Sequence, residues 1–389
     1  MKALSFTRIV GVPKSARKGF PASPAISAPW WRGLTRAHKD RRQSAITLGA
    51  KTVRRTRLED VARLAGVSMA TVSRALSSPG LVRKDTLARV RHAVEALGYV
   101  PDASARTLAS GRSRTVAAVV PTLDNAIFSH SIQGLQSVLA ASGYQLLLGS
   151  HNYDVDTEID VVRALAERAV DAMVLVGADH APETLSVLKQ SGIRTILTWS
   201  LSSHYPCIGF DNVEIGALAA RHLYDLGHRD FGMISGIAQH NDRARLRTEG
   251  FLGTLRALRI KPAAGALCEQ PYSFAGGRSG LRHILQASPS RPTAIFCGND
   301  VLALGCLFEA TALGIKVPDQ LSIVGCDDLP ISTEISPALT TIALESAKLG
   351  RMAAQALLSW LQDGVEPGRT ELPVTLVERQ TTAAPATPR

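Results

Sequence analysis

Between Arg57 and Leu76 two short stretches with helical apolar spacing meet at Gly66, and that arrangement leaves few shapes open to this part of the chain. In the first stretch Leu58, Val61, Ala62 and Ala65 recur at helical intervals. Gly66 supplies a residue that turns the chain without steric penalty. Ser68 then stands where it caps a second helix, with Val72, Ala75 and Leu76 directed inward. Met69, Ala70, Thr71, Ser73 and Arg74 are left for the outer face, beside Ser68. A third helix is predicted from Lys84 to Leu97, with Leu87, Val90, Val94 and Leu97 as its buried stripe and Gly98 as its stop. The pattern predicts a three-helix helix-turn-helix domain over residues 56–103, a module that sets its second helix in a DNA major groove. A plain helical hairpin is the competing reading of two helices around a glycine.

Charge is a weaker guide than the motif. The net charge of +11 is unevenly spread: residues 1–57 hold 14 Lys/Arg against one acid, residues 58–112 hold 8 against 5, and the remainder holds 22 against 27. The basicity thus belongs to the leading segment and, mildly, to the helix-turn-helix. Residues 1–55 read as a disordered basic extension: they lack sustained periodicity, are rich in Pro, Ser, Ala and Arg, and hold no apolar stretch of the length a secretory signal or membrane span needs. Three accounts fit them: upstream sequence included by a wrong start, with translation beginning near Leu48 or Val53; a tail that is inert or touches phosphates; and a targeting segment. Cys207, Cys268, Cys297, Cys306 and Cys326 are odd in number and form no Cys-x-x-Cys pair, which suits reduced thiols in the cytoplasm.

From Thr115 onward short apolar runs alternate with amphipathic helical stretches, the rhythm of a parallel α/β sheet. Strands are predicted at 115–120, 144–148, 172–176 and 195–198, then at 231–234, 294–297 and 322–324. With 45% hydrophobic residues the chain can fill such a core, and two α/β lobes around a cleft are the simplest arrangement. Ligands in these sheets bind beyond the carboxyl ends of the strands. That rule selects Asn125, Phe128, Asp211, Arg247, Tyr272 and Asp300 as the candidate binding set. The acids and Arg247 would bond the hydroxyls of a polyhydroxylated ligand, and the aromatics would pack on it. Each has a plainer role open to it: Asp300 as a helix cap, Arg247 paired with Glu249, Tyr272 in the core.

Enzyme motifs are missing. His228-Arg229-Asp230 and Asp230-Phe231-Gly232 spell two kinase triplets but share one aspartate, whereas a kinase needs two separate loops. No Gly-x-Ser-x-Gly elbow, His-Glu-x-x-His or P-loop occurs, and the ten histidines show no metal-ligand spacing. No catalytic residue, metal or cofactor is expected.

The ordered set Asp-Val-Ala-x-x-Ala-Gly-Val-Ser-x-x-Thr-Val-Ser-Arg, Gly98-Tyr99-x-Pro101, and Ala-Arg-x-Leu-Ala-x-Gly ending at Gly111 resembles the LacI/GalR transcription regulators. The likeness continues through residues 222–229, 297–300, 317–319 and 322–328 and spans about 56–380. It implies the helix-turn-helix domain, a hinge helix within 104–113, a two-lobed periplasmic-binding-protein-like effector domain over 114–380, and a flexible tail at 381–389. It also implies a cytoplasmic homodimer, most often a repressor, that binds a pseudopalindromic double-stranded operator and responds to a small-molecule effector, with no membrane partner. Ser104–Ser110 would become helical only on DNA, Leu108 would act as a minor-groove wedge, and Arg106 and Ala109 would join the DNA-binding set. The chain departs from the family at Asn125-Ala126-Ile127-Phe128, where only one aromatic of an expected pair is kept, and a ligand less dependent on stacking is expected. A receptor of the same fold without a transcriptional role is the second reading; a sugar-converting enzyme is the third.

Overall fold

The computed structural model describes residues 56–100, 111–289 and 291–386. The chain divides into two compact units at Val100/Pro101. The extension at 1–55 and most of the hinge expectation, with Arg106, Leu108 and Ala109, lie outside the described residues.

In the first unit, helices α1 (Leu58–Ala65), α2 (Met69–Ser77) and α3 (Lys84–Leu97) enclose Val61, Ala62, Ala65, Val72, Ala75, Val90 and Ala93. Gly66 takes the left-handed conformation that ends α1 (φ 64°), and its N–H meets the Ala62 and Arg63 carbonyls. Gly98 repeats the device after α3 (φ 56°). Thr56 Oγ1 donates to the Leu97 carbonyl (3.1 Å), tying the entry of the domain to its last helix. Leu76 departs from expectation: it is 37% exposed, because the inward stripe of so short a helix is completed by Val72 and Ala75.

The second unit carries two six-stranded sheets. The first lobe has β1 (Thr115–Val120), β2 (Gln145–Ser150), β3 (Ala172–Val176), β4 (Arg194–Trp199) and β5 (Cys207–Phe210), side by side in the order 2-1-3-4-5 and all parallel. The second lobe repeats that order with β6 (Phe231–Gly236), β7 (Leu267–Gln270), β8 (Ala294–Cys297), β9 (Ser322–Asp327) and β10 (Thr340–Ala343). The architecture is thus duplicated although no sequence repeat is visible. The helices that the argument needs are α4 (Ala126–Ala141), α5 (Val155–Ala166), α6 (Pro182–Ser191), α7 (Asn212–Asp225), α8 (Asp242–Ala257), α9 (Phe274–Ala287), α10 (Asp300–Ala312), the single turn α11 (Ile331–Glu334) and α12 (Ser346–Asp363).

The chain passes between lobes three times: from β5 into α7, from β10 into α12, and from β11 (Arg369–Leu372), which pairs with β5, into β12 (Thr375–Val377), which pairs with β10. Helix pairs α4/α12, α7/α8 and α9/α10 each cross at a glycine on either side: Gly134 and Gly350, Gly216 and Gly250, Gly277 and Gly305. A Cβ at any of the six would overlap a backbone carbonyl oxygen of the facing helix, so the backbones touch directly. Five strands escaped the sequence reading, namely β5, β7, β10, β11 and β12; each has only three or four residues, too few for a periodic signal. All five cysteines are free. Among the described residues no helix is long and apolar enough to cross a membrane.

Candidate functional site

In the first unit, Ser68 caps α2 by accepting from the Thr71 N–H (3.2 Å), which fixes where the helix begins. Met69 is 48% exposed, and Ala70, Ser73 and Arg74 are exposed with it. Thr71 is half-buried, its hydroxyl 2.9 Å from that of Ser68. The residues expected on the outer face of the second helix therefore do form one, backed by a core that contains none of them.

In the second unit, strand ends from both sheets meet in the cleft. Asn125 caps α4 by accepting from the Ile127 N–H (3.3 Å), which sets Phe128 against the cleft floor. Phe128 meets Trp199 edge to face (centroids 5.3 Å apart), and Trp199 in turn packs on Phe210 (5.8 Å). Trp199 ends β4 with φ 72°, and Asp327 ends β9, the equivalent strand of the other lobe, with φ 125°. Neither residue is a glycine, so the backbone is strained at matching points of the two sheets, as is common where a fold aims side chains at a ligand.

Arg247, on α8, donates through Nε to Asn212 Oδ1 (3.0 Å) and through a terminal nitrogen to the Gly298 carbonyl (2.7 Å). Its guanidinium stands 3.9 Å from the Asp327 carboxylate. Burial pushes the Asp327 carboxyl up to about 8; Arg247 opposes the rise and nearby Asp300 adds to it. Asn299 uses its oxygen to cap α10 at Leu302 N–H (2.9 Å), and its buried Nδ2 has no hydrogen-bond partner among the described residues. Tyr153 from the first lobe and Tyr272 from the second close over this set, ring centroids 6.2 Å apart. Asn125, Phe128, Tyr153, Trp199, Arg243, Arg247, Tyr272, Asn299 and Asp327 enclose an inner cavity of about 20 Å³.

Cross-lobe bonds hold that closure. Asp242 accepts from the Ala178 N–H of the other lobe (2.9 Å) as well as from its own neighbour Arg243 (2.8 Å), and Arg245 pairs with Asp179 across the lobes (2.9 Å). Behind the first-lobe loops, Glu158 gathers His180 (3.1 Å), Thr184 (3.0 Å) and, at 3.6 Å, His151. Burial works against ionising Glu158, but the His180 hydrogen bond and the charges of both imidazoles prevail and hold the carboxyl below its ordinary range. Histidines that look scattered in sequence are thus brought together, although no trio of metal-ligand geometry occurs among the described residues.

Four of the six expected cleft residues converge: Asn125, Phe128, Arg247 and Tyr272. Two do not. Asp300 is fully buried inside the second lobe, where it accepts from Leu329 N–H, Ser332 Oγ and Thr341 Oγ1, so its acceptor capacity is spent on the fold. Asp211 caps α7 by accepting from Val213 N–H (2.9 Å) and Glu214 N–H (3.1 Å). In their stead the structure brings Asp327, Asn299, Arg243, Tyr153 and Trp199. Trp199 also restores the second aromatic whose loss the Asn125–Phe128 segment suggested. Asp327 obeys the strand-end rule; it is missed only when β9 is stopped three residues early, at Val324.

Comparison with known proteins matches both units. Residues 57–102 fit the model of bacterial regulatory proteins of the lacI family, and residues 220–382 fit a periplasmic binding protein-like domain. The HTH-type transcriptional regulator GntR of Pseudomonas aeruginosa is 35% identical over 312 residues, covering 79% of this chain and 90% of that protein. Among solved structures, the lac repressor dimer bound to operator and the anti-inducer ONPF superposes with a TM-score of 0.76 at 27% identity, covering 85% of this chain and all (100%) of that one. The complex of the transcriptional regulator CelR with cellobiose follows with a TM-score of 0.63 at 25% identity, over 84% of this chain and 100% of that one. A capped recognition-type helix in one unit, paired sheets of identical strand order in the other, and relatives aligned along nearly their whole length lead to one assignment: the chain belongs to the LacI family of bacterial regulatory proteins.

Proposed function

We propose that this protein is a transcriptional repressor that acts in the cytoplasm as a homodimer on a pseudopalindromic operator, and that a small polyhydroxylated effector, a sugar or sugar acid, controls its affinity for that operator. Ser68, Met69, Ala70, Thr71, Ser73 and Arg74 are the base- and phosphate-facing set, with apolar Met69 and Ala70 suited to thymine methyl groups and Arg74 to guanine or phosphate. Arg106, Leu108 and Ala109 complete it through the hinge. Asn125, Phe128, Arg247, Tyr272, Asn299 and Asp327 are the effector set. The protein does no chemistry on its ligand; it reports the ligand's presence.

The observation that carries this reading is the Asn299 amide. A buried donor without a partner costs roughly 1–3 kcal/mol, so its retention at the junction of the lobes supports the reading that a ligand supplies an acceptor there. The lac repressor and CelR structures, with their operator, anti-inducer and cellobiose, support the same pairing of roles. Ligand control requires only that the effector prefer one lobe arrangement. The test is an operator gel shift over the protein's own upstream DNA, titrated with sugars and sugar acids. A ligand-dependent shift is expected; tight ligand binding with no operator recognition would instead fit a receptor of the same fold.

A further inference from the structure

Residues 177–180 form a first-lobe loop that meets the second lobe: the Ala178 N–H donates to Asp242 (2.9 Å) and Asp179 pairs with Arg245 (2.9 Å). Gly177 has φ 95°, and a Cβ there would overlap the Arg243 guanidinium and the Asp242 carboxylate, so its backbone is pressed directly against the other lobe. His180, almost without exposure, holds this loop from behind. Its Nδ1 stands 3.1 Å from both oxygens of Glu158 on α5, and its Nε2 stands 3.1 Å from the Gly177 carbonyl.

A carboxylate and a carbonyl only accept, so both ring nitrogens must donate, and only the doubly protonated imidazole has two N–H groups. Glu158 is held below the ordinary carboxylate range, as described above, which leaves the shared proton on the ring. Thr184, on α6, donates its hydroxyl to the same carboxylate (3.0 Å). His151 faces Glu158 at 3.6 Å, too far for a hydrogen bond, and its Nδ1 has no partner among the described residues. Burial draws the His151 imidazole below its ordinary range against the pull of Glu158, so that ring is neutral at neutral pH. From the second lobe Asp242, Arg243 and Arg245 face the loop. Taking the proton from His180 would set a bare ring nitrogen against Glu158 or the Gly177 carbonyl, in a buried place where an unmade hydrogen bond is costly.

We infer that Glu158 and His180 form a proton-operated latch on lobe closure: the proton between them fixes the 177–180 loop against the second lobe, and its loss as pH rises frees that loop. The closed arrangement is then fully stabilised where the ring is protonated and is weakened as pH climbs through the range in which imidazoles lose their charge. An effector that needs the closed lobes would bind more weakly at alkaline pH. That consequence rests on the reading of the cleft as the effector site; the latch does not.

Amide exchange of the full-length, effector-free protein at the Ala178 N–H, corrected for the intrinsic rate and followed from about pH 6 to about pH 9, tests the latch. Protection in the wild type is expected to fall about tenfold across that range, the worth of one buried charge-assisted hydrogen bond. Glu158→Gln should keep the protection and flatten the profile: its side-chain N–H donates to an unprotonated Nδ1 while Nε2–H still reaches the Gly177 carbonyl, so both contacts survive loss of the proton. His180→Gln should also be flat, at the low protection that the wild type reaches at the alkaline end, and it serves as the test where Glu158→Gln does not fold. A merely structural ion pair would leave Glu158→Gln poorly protected at every pH. A level wild-type profile, a variant that keeps the wild-type slope, or a folded Glu158→Gln protein already unprotected at the acid end overturns the latch. None of these touches the effector reading, which fails separately if no ligand alters the operator gel shift.

Discussion

Arg247 and Asp327 face each other at 3.9 Å on the cleft floor, both almost without solvent exposure and each anchored to a different element, α8 and the end of β9. The pair lies too far apart for a tight ion-pair hydrogen bond, and burial leaves Asp327 with a carboxyl pushed up to about 8. The inner site is therefore built around one fixed positive charge and one carboxyl that is protonated at neutral pH, able to donate as well as accept.

That proton has a consequence for stability. The folded value lies far above the unfolded one, 3.8, so the native state holds a proton that the unfolded chain has lost, and stability declines as pH rises through the window from about 4 to about 8. Asp327→Asn removes this term. The stability difference between variant and wild type should move in the variant's favour by roughly 2.5 kcal/mol between pH 6 and pH 8.5. Urea unfolding at the two pH values checks it; parallel pH profiles for both proteins would show that the carboxyl is ionised in the fold.

Asn299→Ala is expected to bind operator normally and to need roughly three- to tenfold more effector for a half-maximal change in operator binding, the worth of one buried neutral hydrogen bond. Because the Asn299 side chain also caps α10, thermal melting of the unliganded variant separates the two roles. Asn299→Asp keeps the cap but exchanges the donor for a carboxylate, so it reads the loss of the donor together with an added buried acid.

Arg74→Ala should cost about 1–3 kcal/mol in operator binding, a factor of roughly ten to a hundred, and leave effector affinity unchanged. Arg74 is exposed in the last turn of α2 and outside the domain's core, so its truncation leaves the packing untouched. An unaltered gel shift would remove Arg74 from the reading face.

Gly350→Ala puts a methyl group onto the Ser131 carbonyl across the α4/α12 crossing, where both neighbours are backbone and cannot yield. A loss of about 1–3 kcal/mol is expected from overpacking. Gly253→Ala, in α8 with nothing within 4 Å, should instead gain roughly 0.5–1 kcal/mol from helix propensity. Thermal melts of the two variants should shift in opposite directions.

Much of this architecture is legible in the sequence, for reasons that differ by element. The start of α2 is readable because Ser68 acts locally, and Gly66 and Gly98 stop their helices by a backbone preference that needs no partner. Buried parallel strands such as Thr115–Val120 announce themselves as apolar runs. Asp300 misleads because its position, just past a strand, satisfies the ligand rule while its real partners, Leu329, Ser332 and Thr341, are 29 to 41 residues away. Trp199 and Tyr153 escape for a related reason: each looks like an ordinary aromatic beside a strand, and only the left-handed backbone at both positions turns them to the cleft.

The three passages of chain between the lobes amount to a door hung on three pins. One pin would let the lobes swivel freely, whereas three connections between the same two bodies restrict how they move against each other. A ligand held in the cleft can then act on the molecule only through the lobe arrangements that those connections permit. Ligands of very different shape can favour the same arrangement, which lets the cleft change its chemistry while the connections stay as they are.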